Sequence, residues 1–229
     1  MTDTTESIAV VIPALNEAQR IGSLLRSLCG MDFAEIVVAD GGSSDGTDEI
    51  VSSMPRVRLI RSETGRGNQI NAAVRTIRAP ILVILHADTV LPAGAVRIIR
   101  ETLRRPDVAA GCFRLSFDVA SPVLDFYAWC SRFETSLTTF GDQAYFLRRA
   151  AFDAVGGAPE WPFLEDVALR DKLRRLGLFV KHREPVVTSA RRFAHRGPIL
   201  AQLRNIVVLA GYRSGLPVTV LARIYGVTR

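Results

Sequence analysis

The sequence predicts an α/β protein with a mostly parallel, Rossmann-like central sheet and helices on both faces. Short apolar runs alternate with helical patterns, in the order β-α-β-α-β-α-β-α, up to about residue 105. The apolar run 36–39 leads directly into a glycine turn and a helix start. Residues 80–85 are the most apolar run, which is typical of a central strand buried on both faces.

The first β-α pair covers residues 8 to 28. Residues 8–12 form an apolar run ended by Pro13, and we interpret this run as the first strand. A helix is predicted from about Glu17 to Leu28, with Asn16 as its cap. One face of this helix carries apolar side chains at helical spacing, namely Ile21, Leu24, Leu25 and Leu28.

The next three pairs repeat the pattern. The strand that ends at Ala39 is followed by Asp40 and two glycines, and Ser44 or Asp45 can cap the helix after them. The helix after the third strand opens near Gly65. The predicted strands are 35–39, 57–60 and 80–85, and the predicted helices are 48–54, 65–77 and 93–103.

The pattern loosens after residue 105. We predict strands at 109–117, 143–147 and 186–187 and helices at 121–137 and 164–176. We therefore expect one domain over residues 1–190, followed by a basic helical C-terminal extension, 191–229, packed on the same domain. Within the domain, residues 8–105 are the expected nucleotide-binding half and 106–190 the expected acceptor half.

The C-terminal extension has an unusual charge distribution. No acidic residue follows Glu184, and this tail holds seven arginines, in a chain with a net charge of +6. Between Arg204, Arg213 and Arg223 lie uncharged gaps of eight and nine residues, far short of the roughly 18 that can span a bilayer. The pattern leaves open a peripheral membrane contact, a homodimer contact or a plain surface-packed helix pair.

Composition limits the other function classes. Hydrophobic residues make up 48% of the chain, which excludes global disorder. The three cysteines lack metal-ligand spacing and indicate a reducing compartment. The polar start, residues 1–7, predicts no signal peptide. We expect a cytoplasmic protein, at the inner face of the membrane if the tail binds lipid, and no nucleic-acid partner.

Two predicted strands end in aspartate, at Asp40 and Asp88. Parallel strands share a carboxyl edge, where open α/β sheets bind ligands. One carboxylate there could accept hydrogen bonds from a base or ribose, and the other could hold a divalent cation on a diphosphate. Each also has a plain alternative: Asp40 as a polar turn residue and Asp88 as a helix cap.

Several ordered motifs now point to one family. The chain resembles family 2 glycosyltransferases of GT-A fold over roughly residues 8–190, and most resembles their small, soluble, single-domain bacterial members. The motifs that carry the resemblance are 11–17 (VIPALNE), 40–47 (DGGSSDGT), 65–71 (GRGNQIN), 85–89 (LHADT), 141–143 (GDQ) and 164–166 (LED).

The resemblance implies a nucleotide-sugar site. Pro13, Asn16 and Glu17 would line the nucleotide pocket, Asp40 would bond the uracil or another base, and Arg66 would lie near the nucleotide or its phosphates. Those five residues all come from the first three motifs.

The resemblance also implies a metal. Asp88 would be the metal ligand of the family's Asp-x-Asp motif, but here His86 replaces the first aspartate. Imidazole suits Mn²⁺ better than Mg²⁺, and His86 could instead contact the ribose or be structural. Arg191 and Arg192 would neutralise the diphosphate and His195 would complete the metal shell, unless they form a solvated basic patch.

The Glu165-Asp166 pair matches the family's Glu-Asp motif, in which the aspartate is the catalytic base. Acids at a helix start also interact well with the helix dipole, so a structural role stays open. Trp161 and Asp142 would belong to the acceptor region, with a turn role as the alternative for Asp142.

The resemblance implies an inverting transferase that moves a sugar from a UDP- or GDP-linked donor to an acceptor hydroxyl, with Mn²⁺ or Mg²⁺. A lipid-linked acceptor is among the options. A sugar-phosphate nucleotidyltransferase or nicotinamide dehydrogenase would need a glycine-rich loop after the first strand, and 13–17 holds no glycine. A non-catalytic protein that binds nucleotide sugars or anionic surfaces is the remaining alternative.

Overall fold

The computed structural model describes residues 7–161, 163–191 and 198–225. The strands are β1 (Ile8–Ala14), β2 (Glu35–Asp40), β3 (Val57–Arg61), β4 (Ile81–Ile84), β5 (Thr89–Val90), β6 (Val108–Phe117), β7 (Tyr145–Arg148) and β8 (Leu178–Thr188). The α-helices are α1 (Ala18–Cys29), α2 (Thr47–Ser52), α3 (Arg66–Thr76), α4 (Ala95–Leu103), α5 (Pro122–Cys130), α6 (Arg149–Ala154), α7 (Glu165–Leu173), α8 (Pro198–Arg213) and α9 (Val218–Tyr225). A short 3₁₀ helix covers Gly141–Gln143.

The strands form a single sheet in the order β3-β2-β1-β4-β7-β6-β8-β5. The first four strands in this order are parallel, β7 runs against both of its neighbours, and β6 and β8 are again parallel. The edge strand β5 is antiparallel to β8. The predicted α/β fold is confirmed, with a mixed sheet in which the four strands β1 to β4 of the first half are all parallel to one another.

Both faces of the sheet are buried. Alternate residues of β1 point to opposite faces, so Ile8 and Val10 join one apolar cluster while Ala9 and Val11 join the other. Helices α1 and α4 cover the first face, and α3, α6 and α7 cover the second. This two-sided burial explains why the strands of the first half read as continuous apolar runs.

The second half differs from its prediction most at β8. This strand has 11 residues, whereas we predicted only 186–187. Its middle, 181–184, is a run of charged and histidine side chains that are half-buried or exposed, so no apolar pattern marks it. The two-residue strand β5 and the six-residue helix α6 were also not predicted, because each is too short for a periodic signal.

Some helix ends also differ from their predictions. Helix α5 ends at Cys130, not at 137; Ser131 is its C-cap, and the Oγ of Ser131 accepts the N–H of Leu115 at 2.9 Å. Two predicted caps were wrong. Glu17 and not Asn16 is the N-cap of α1. Gly46, at a left-handed φ of +92°, is the N-cap of α2, although Asp45 accepts the next N–H at 3.1 Å.

No helix among the described residues combines the length and the apolar character needed to cross a bilayer.

Gly67 lies where α3 meets the segment before α7. A Cβ atom on Gly67 would fall 2.0 Å from the carbonyl oxygen of Pro159. We expect Gly67→Ala to lower the free energy of unfolding by about 1–3 kcal/mol, because the backbone of that segment must move. Urea unfolding measures this loss.

Gly22→Ala is the matched control, since Gly22 lies inside α1 and its nearest neighbour would be a side-chain atom of Ile50 at 3.4 Å. We expect it to be neutral or stabilising by up to about 1 kcal/mol, because alanine is the better helix former. Equal losses in both variants would show that the contact with Pro159 is unimportant.

Candidate functional site

The carboxyl ends of the parallel strands share one edge of the sheet. Strand β1 pairs with β2, so that Ala14 faces Asp40. On its other side β1 pairs with β4, and Leu85, the residue after β4, donates its N–H to the carbonyl of Val11 at 2.9 Å. The Asp40 turn and the 86–88 segment therefore leave the sheet at the same edge, as the sequence predicts.

The Asp40 carboxylate holds together its own glycine turn. Its Oδ2 accepts the N–H groups of Gly42 and Ser43 at 3.0 and 2.9 Å, and its Oδ1 accepts the hydroxyl of Ser43. The residue is buried. These bonds use three of the about four acceptor positions of a carboxylate, so the turn role that the sequence left open is present.

Asn16 joins this turn to the end of β1. It has a left-handed φ of +56°, rare for a residue other than glycine. Its side-chain oxygen accepts the N–H of Ser44 at 2.9 Å, and its own N–H bonds the hydroxyl of Ser43 at 2.9 Å. Pro13, in contrast, is a buried strand residue paired with Ala39. Asn16 thus shapes the predicted nucleotide pocket through the backbone of its neighbours.

Arg66, in the first turn of α3, lies at the centre of a charged cluster. Its Nε is 3.1 Å from Oε1 of the buried Glu165, and its Nη2 contacts Nε2 of the buried His86. Burial lowers the pKa of Arg66, but the charges of Glu165, Asp166, Asp142 and Asp88 together raise it above its usual value. This arginine therefore stays charged, pairs with Glu165 and lies in the field of three further carboxylates.

His86 takes part in this cluster as an acceptor. Because an arginine only donates hydrogen bonds, the Nε2 atom of His86 must accept, which places the ring proton on Nδ1. The Nε2 atom, one of the two ring nitrogens through which a histidine can bind a metal, is thus directed at Arg66. Of the roles that the sequence left open, this contact favours a structural one.

Asp166 lies in the first turn of α7 and points at the 3₁₀ helix. Its Oδ2 accepts the N–H of Gly141 at 2.6 Å, and its Oδ1 accepts the N–H of Val167 at 2.8 Å. The preceding residue, Leu164, has a left-handed φ of +62°. Such a conformation costs about 1–3 kcal/mol, and strained residues of this kind cluster at functional sites.

The chain returns to this edge after β8. Arg191 Nη2 is 3.2 Å from Oδ2 of Asp88 and also contacts the carboxylate of Glu17. The hydrogen bond that Arg191 donates to Glu17, with the nearby charge of Asp88, raises the pKa of Arg191. The predicted return of a basic residue from the C-terminal side is present in the structure. The other two residues predicted there, Arg192 and His195, lie outside the described residues.

Asp88 fits a cation that arrives with a diphosphate. Among the described residues, no three His, Cys, Asp or Glu side chains gather closely enough to form a metal cage. Mg²⁺ and Mn²⁺ at phosphate-transfer sites typically use one or two carboxylates together with substrate phosphates. A single buried carboxylate at the sheet edge, beside a cationic Arg191, meets that requirement.

The predicted acceptor residues belong to the 3₁₀ helix and to the segment before α7. Asp142 is in the 3₁₀ helix and contributes to the charge around Arg66. Trp161 lies in the segment before α7, where its ring centroid is 6.1 Å from that of Tyr212 in α8. Similarly, Phe163 stacks on Tyr225 in α9 at 5.1 Å. The C-terminal helices therefore cover the segment that leads into Glu165-Asp166.

The ion pairs that hold α7 in place were not predicted from the sequence. Arg170 is only 2% exposed and bonds both Glu134, before the 3₁₀ helix, and Asp171. A signal was available, because Arg170 follows Asp166 by four residues and so lies on the same face of α7. Gln69 was missed as well: its Nε2 bonds the carbonyls of Ala14 and Ala39 and so ties α3 to the ends of β1 and β2.

The mixed sheet with helices on both faces is the GT-A fold of glycosyltransferases. The chain belongs to the family described as glycosyl transferase family 2, whose profile matches residues 9–157.

Curated relatives agree with this assignment. Glycosyltransferase AglJ of Haloferax volcanii is 31% identical over 86 residues, which are 37% of this chain and 28% of that protein. Beta-monoglucosyldiacylglycerol synthase of Synechocystis is 22% identical over 192 residues, which are 72% of this chain and 40% of that protein. The chain thus spans less than half the length of either relative.

Solved structures show the same fold. A mannosyltransferase from Pyrobaculum calidifontis in complex with GDP-Man and Mn²⁺ has a TM-score of 0.70 at 22% identity, over 93% of this chain and 65% of that one. Glucosyl-3-phosphoglycerate synthase from Mycobacterium tuberculosis, in complex with Mn²⁺, UDP and glucosyl-3-phosphoglycerate, has a TM-score of 0.66 at 20% identity, over 92% and 81%. At these identities the likeness establishes the fold.

Proposed function

We propose that this protein is an inverting hexosyltransferase that uses a UDP- or GDP-linked sugar and a divalent cation, Mn²⁺ or Mg²⁺, to glycosylate an acceptor hydroxyl. The observation that carries the proposal is the cluster around Arg66. Arg66 pairs with Glu165 at the start of α7 and lies in the field of Asp166 and Asp88. Asp88 in turn contacts Arg191, a residue type that binds phosphates. A donor diphosphate and an acceptor alcohol would therefore meet across one short span of the sheet edge.

The donor side has distinct roles for its residues. The Asp40 carboxylate keeps about one acceptor position beyond the three that its turn uses, and this position suits an N–H of the base. Asn16 and Glu17 hold the neighbouring loop, and Asp88 would bind the cation together with the diphosphate. The cation supplies positive charge that stabilises the leaving nucleoside diphosphate.

The acceptor side would carry the proton transfer. Asp166 takes the proton from the acceptor hydroxyl while the oxygen of that hydroxyl attacks the anomeric carbon of the donor sugar. The bond between this carbon and the diphosphate breaks on the opposite side. The N–H groups of Gly141 and Val167 fix the orientation of the Asp166 carboxylate. Arg191 adds positive charge at the departing diphosphate.

Donor binding tests the proposal first. Thermal unfolding should be measured with UDP- and GDP-sugars, each with and without Mn²⁺, because a bound donor raises the unfolding temperature by mass action. The donor that stabilises the protein should then release its nucleoside diphosphate and give a product of inverted anomeric configuration by NMR. Stabilisation without any release of nucleoside diphosphate would support a non-catalytic binding protein instead.

Asp88→Asn should separate metal-dependent binding from the rest. We expect the donor Kd in Mn²⁺ to rise on the order of 100-fold, because loss of even an outer metal partner costs about 10–100-fold. Calorimetry with Mn²⁺ and with EDTA measures the difference.

The matched control is Asp32→Asn. Asp32 precedes β2 at the opposite edge of the sheet and forms a surface ion pair with Arg100 at 2.9 Å. The Asp32→Asn variant should bind the donor as the wild type does. If the gain in affinity on adding Mn²⁺ survives in Asp88→Asn, another residue holds the ion.

A further inference from the structure

Helix α8 presents an apolar stripe to solvent. The stripe consists of residues one helical turn apart that are 53–61% exposed, namely Leu200, Leu203, Ile206 and Val207. Val208 and Leu209, on the opposite side of the helix, are buried. A surface helix normally turns its apolar stripe to the core, so α8 has an apolar side on the protein and a second apolar side that no described residue covers.

The neighbouring helix α5, which packs against α8, and the turn after it carry exposed aromatic rings. Phe126, Trp129 and Phe133 are 48–58% exposed. Phe126 stacks on Trp129 at 6.0 Å, Trp129 meets Phe133 edge-on at 5.5 Å, and the guanidinium of Arg132 lies 5.1 Å from the Trp129 ring centre. Exposed aromatic rings beside arginine are typical of segments at a membrane–water interface.

The charge of this region selects among partners. Arg132, beside the rings of α5, and Arg223 of α9 are both exposed, whereas Asp125 is the exposed acid within α5. A second copy docked symmetrically on this face would bring the exposed arginines of both copies together, which costs free energy. An anionic lipid surface complements the same charges.

We propose that the apolar face of α5 and α8 is a docking surface for an anionic lipid bilayer. The aromatic and aliphatic side chains enter the boundary between headgroups and acyl chains, and the arginines contact the anionic headgroups. This mode of binding needs no spanning helix. In this mode of binding, helices α5 and α8 lie on the surface of the membrane.

The docking surface is joined to the acceptor side of the site. Tyr212 of α8 packs on Trp161, and Tyr225 of α9 stacks on Phe163, both in the segment that leads to Asp166. Docking would therefore bring the acceptor side close to the headgroups and make a lipid-borne hydroxyl the acceptor. This second step rests on the proposed function, whereas docking itself does not.

Vesicle co-sedimentation tests the docking. Wild-type protein should bind vesicles of phosphatidylcholine mixed with phosphatidylglycerol more strongly than vesicles of phosphatidylcholine alone. The triple variant Leu203→Ser, Ile206→Ser, Val207→Ser should bind these vesicles at least about tenfold more weakly, because it loses three apolar side chains from the interface. Arg132→Gln with Arg223→Gln should lose about fivefold per arginine, and only on the anionic vesicles.

The matched control is Leu176→Ser with Leu178→Ser. These two leucines are each 50% exposed, and they lie before and at the start of β8, at the sheet edge opposite Asp88. The double variant should bind vesicles as the wild type does. Urea unfolding confirms that every variant is folded, which is expected because all of the changed side chains are exposed.

Trp129 gives a second readout that does not depend on any of those variants. In Trp161→Phe it is the remaining tryptophan of the two in the chain, and its emission should shift to the blue on adding anionic vesicles. No sedimentation and no shift would overturn the proposal. A dimer in sedimentation velocity that the triple serine variant dissociates would also overturn it, with a second copy as the occupant. Asp166→Asn should dock normally, so loss of docking and loss of transfer are distinguishable.

Discussion

Asp166→Asn is expected to lower the rate of transfer by about 10²–10⁴-fold, the usual contribution of a general base, with little change in the donor Kd. The asparagine side chain has nearly the shape of aspartate and keeps one oxygen that can accept the N–H of Gly141, now at 2.6 Å. What it loses is the acceptor for the N–H of Val167 and the ability to take a proton from the acceptor hydroxyl. The deficit should therefore appear in kcat for transfer, while calorimetry with the donor and Mn²⁺ stays close to the wild type.

Two comparison variants sharpen this test. Asp153→Asn changes an exposed acid of α6 whose partner is Arg149, at 3.4 Å on the surface, and should leave kcat unchanged. Glu165→Gln weakens the ion pair with Arg66, at 3.1 Å, and should affect donor binding as well as rate. Transfer by Asp166→Asn at the wild-type rate would assign the base to another residue.

The first half of the fold could be predicted because its strands are buried on both faces. Continuous apolar runs such as 36–39 and 81–84 are strong signals, and the glycine turn after Asp40 marks the end of β2. Strand β8 carries charged side chains at 181–184, since it lies next to the edge strand and is partly exposed. Its burial depends on tertiary neighbours, and no local pattern reports them.

The same limit applies to the site. Topology alone brings Asp40 and Asp88 to one edge, so their placement follows from the strand order. The contacts of Arg66 with His86 and Glu165 join residues 20 and 99 positions apart along the chain. They depend on the paths of two loops and on side-chain rotamers. Residue type alone left a metal, the ribose and a structural role open for His86 and could not indicate its contact with Arg66.

The support of α7 should be measurable as a large loss of stability. Arg170→Met is expected to lower the free energy of unfolding by about 3–5 kcal/mol, since it removes one partner of a buried ion pair and leaves the carboxylate of Glu134 without its main cation. The Arg170 guanidinium bonds Glu134 through Nε at 2.9 Å and again through Nη2, and it bonds Asp171 at 3.1 Å. Urea unfolding of wild type and variant measures the loss.

Arg174→Met is the control for the same partner. Arg174 bonds the second oxygen of Glu134 at 2.6 Å, but its side chain is about half exposed, so its removal should cost at most about 1 kcal/mol. Replacing both Arg170 and Glu134 by methionine should recover part of the loss, because an apolar pair is often as stable as the buried ion pair it replaces. If Arg170→Met costs no more than Arg174→Met, burial does not strengthen this pair, and the orientation of Asp166 on α7 must depend on other contacts.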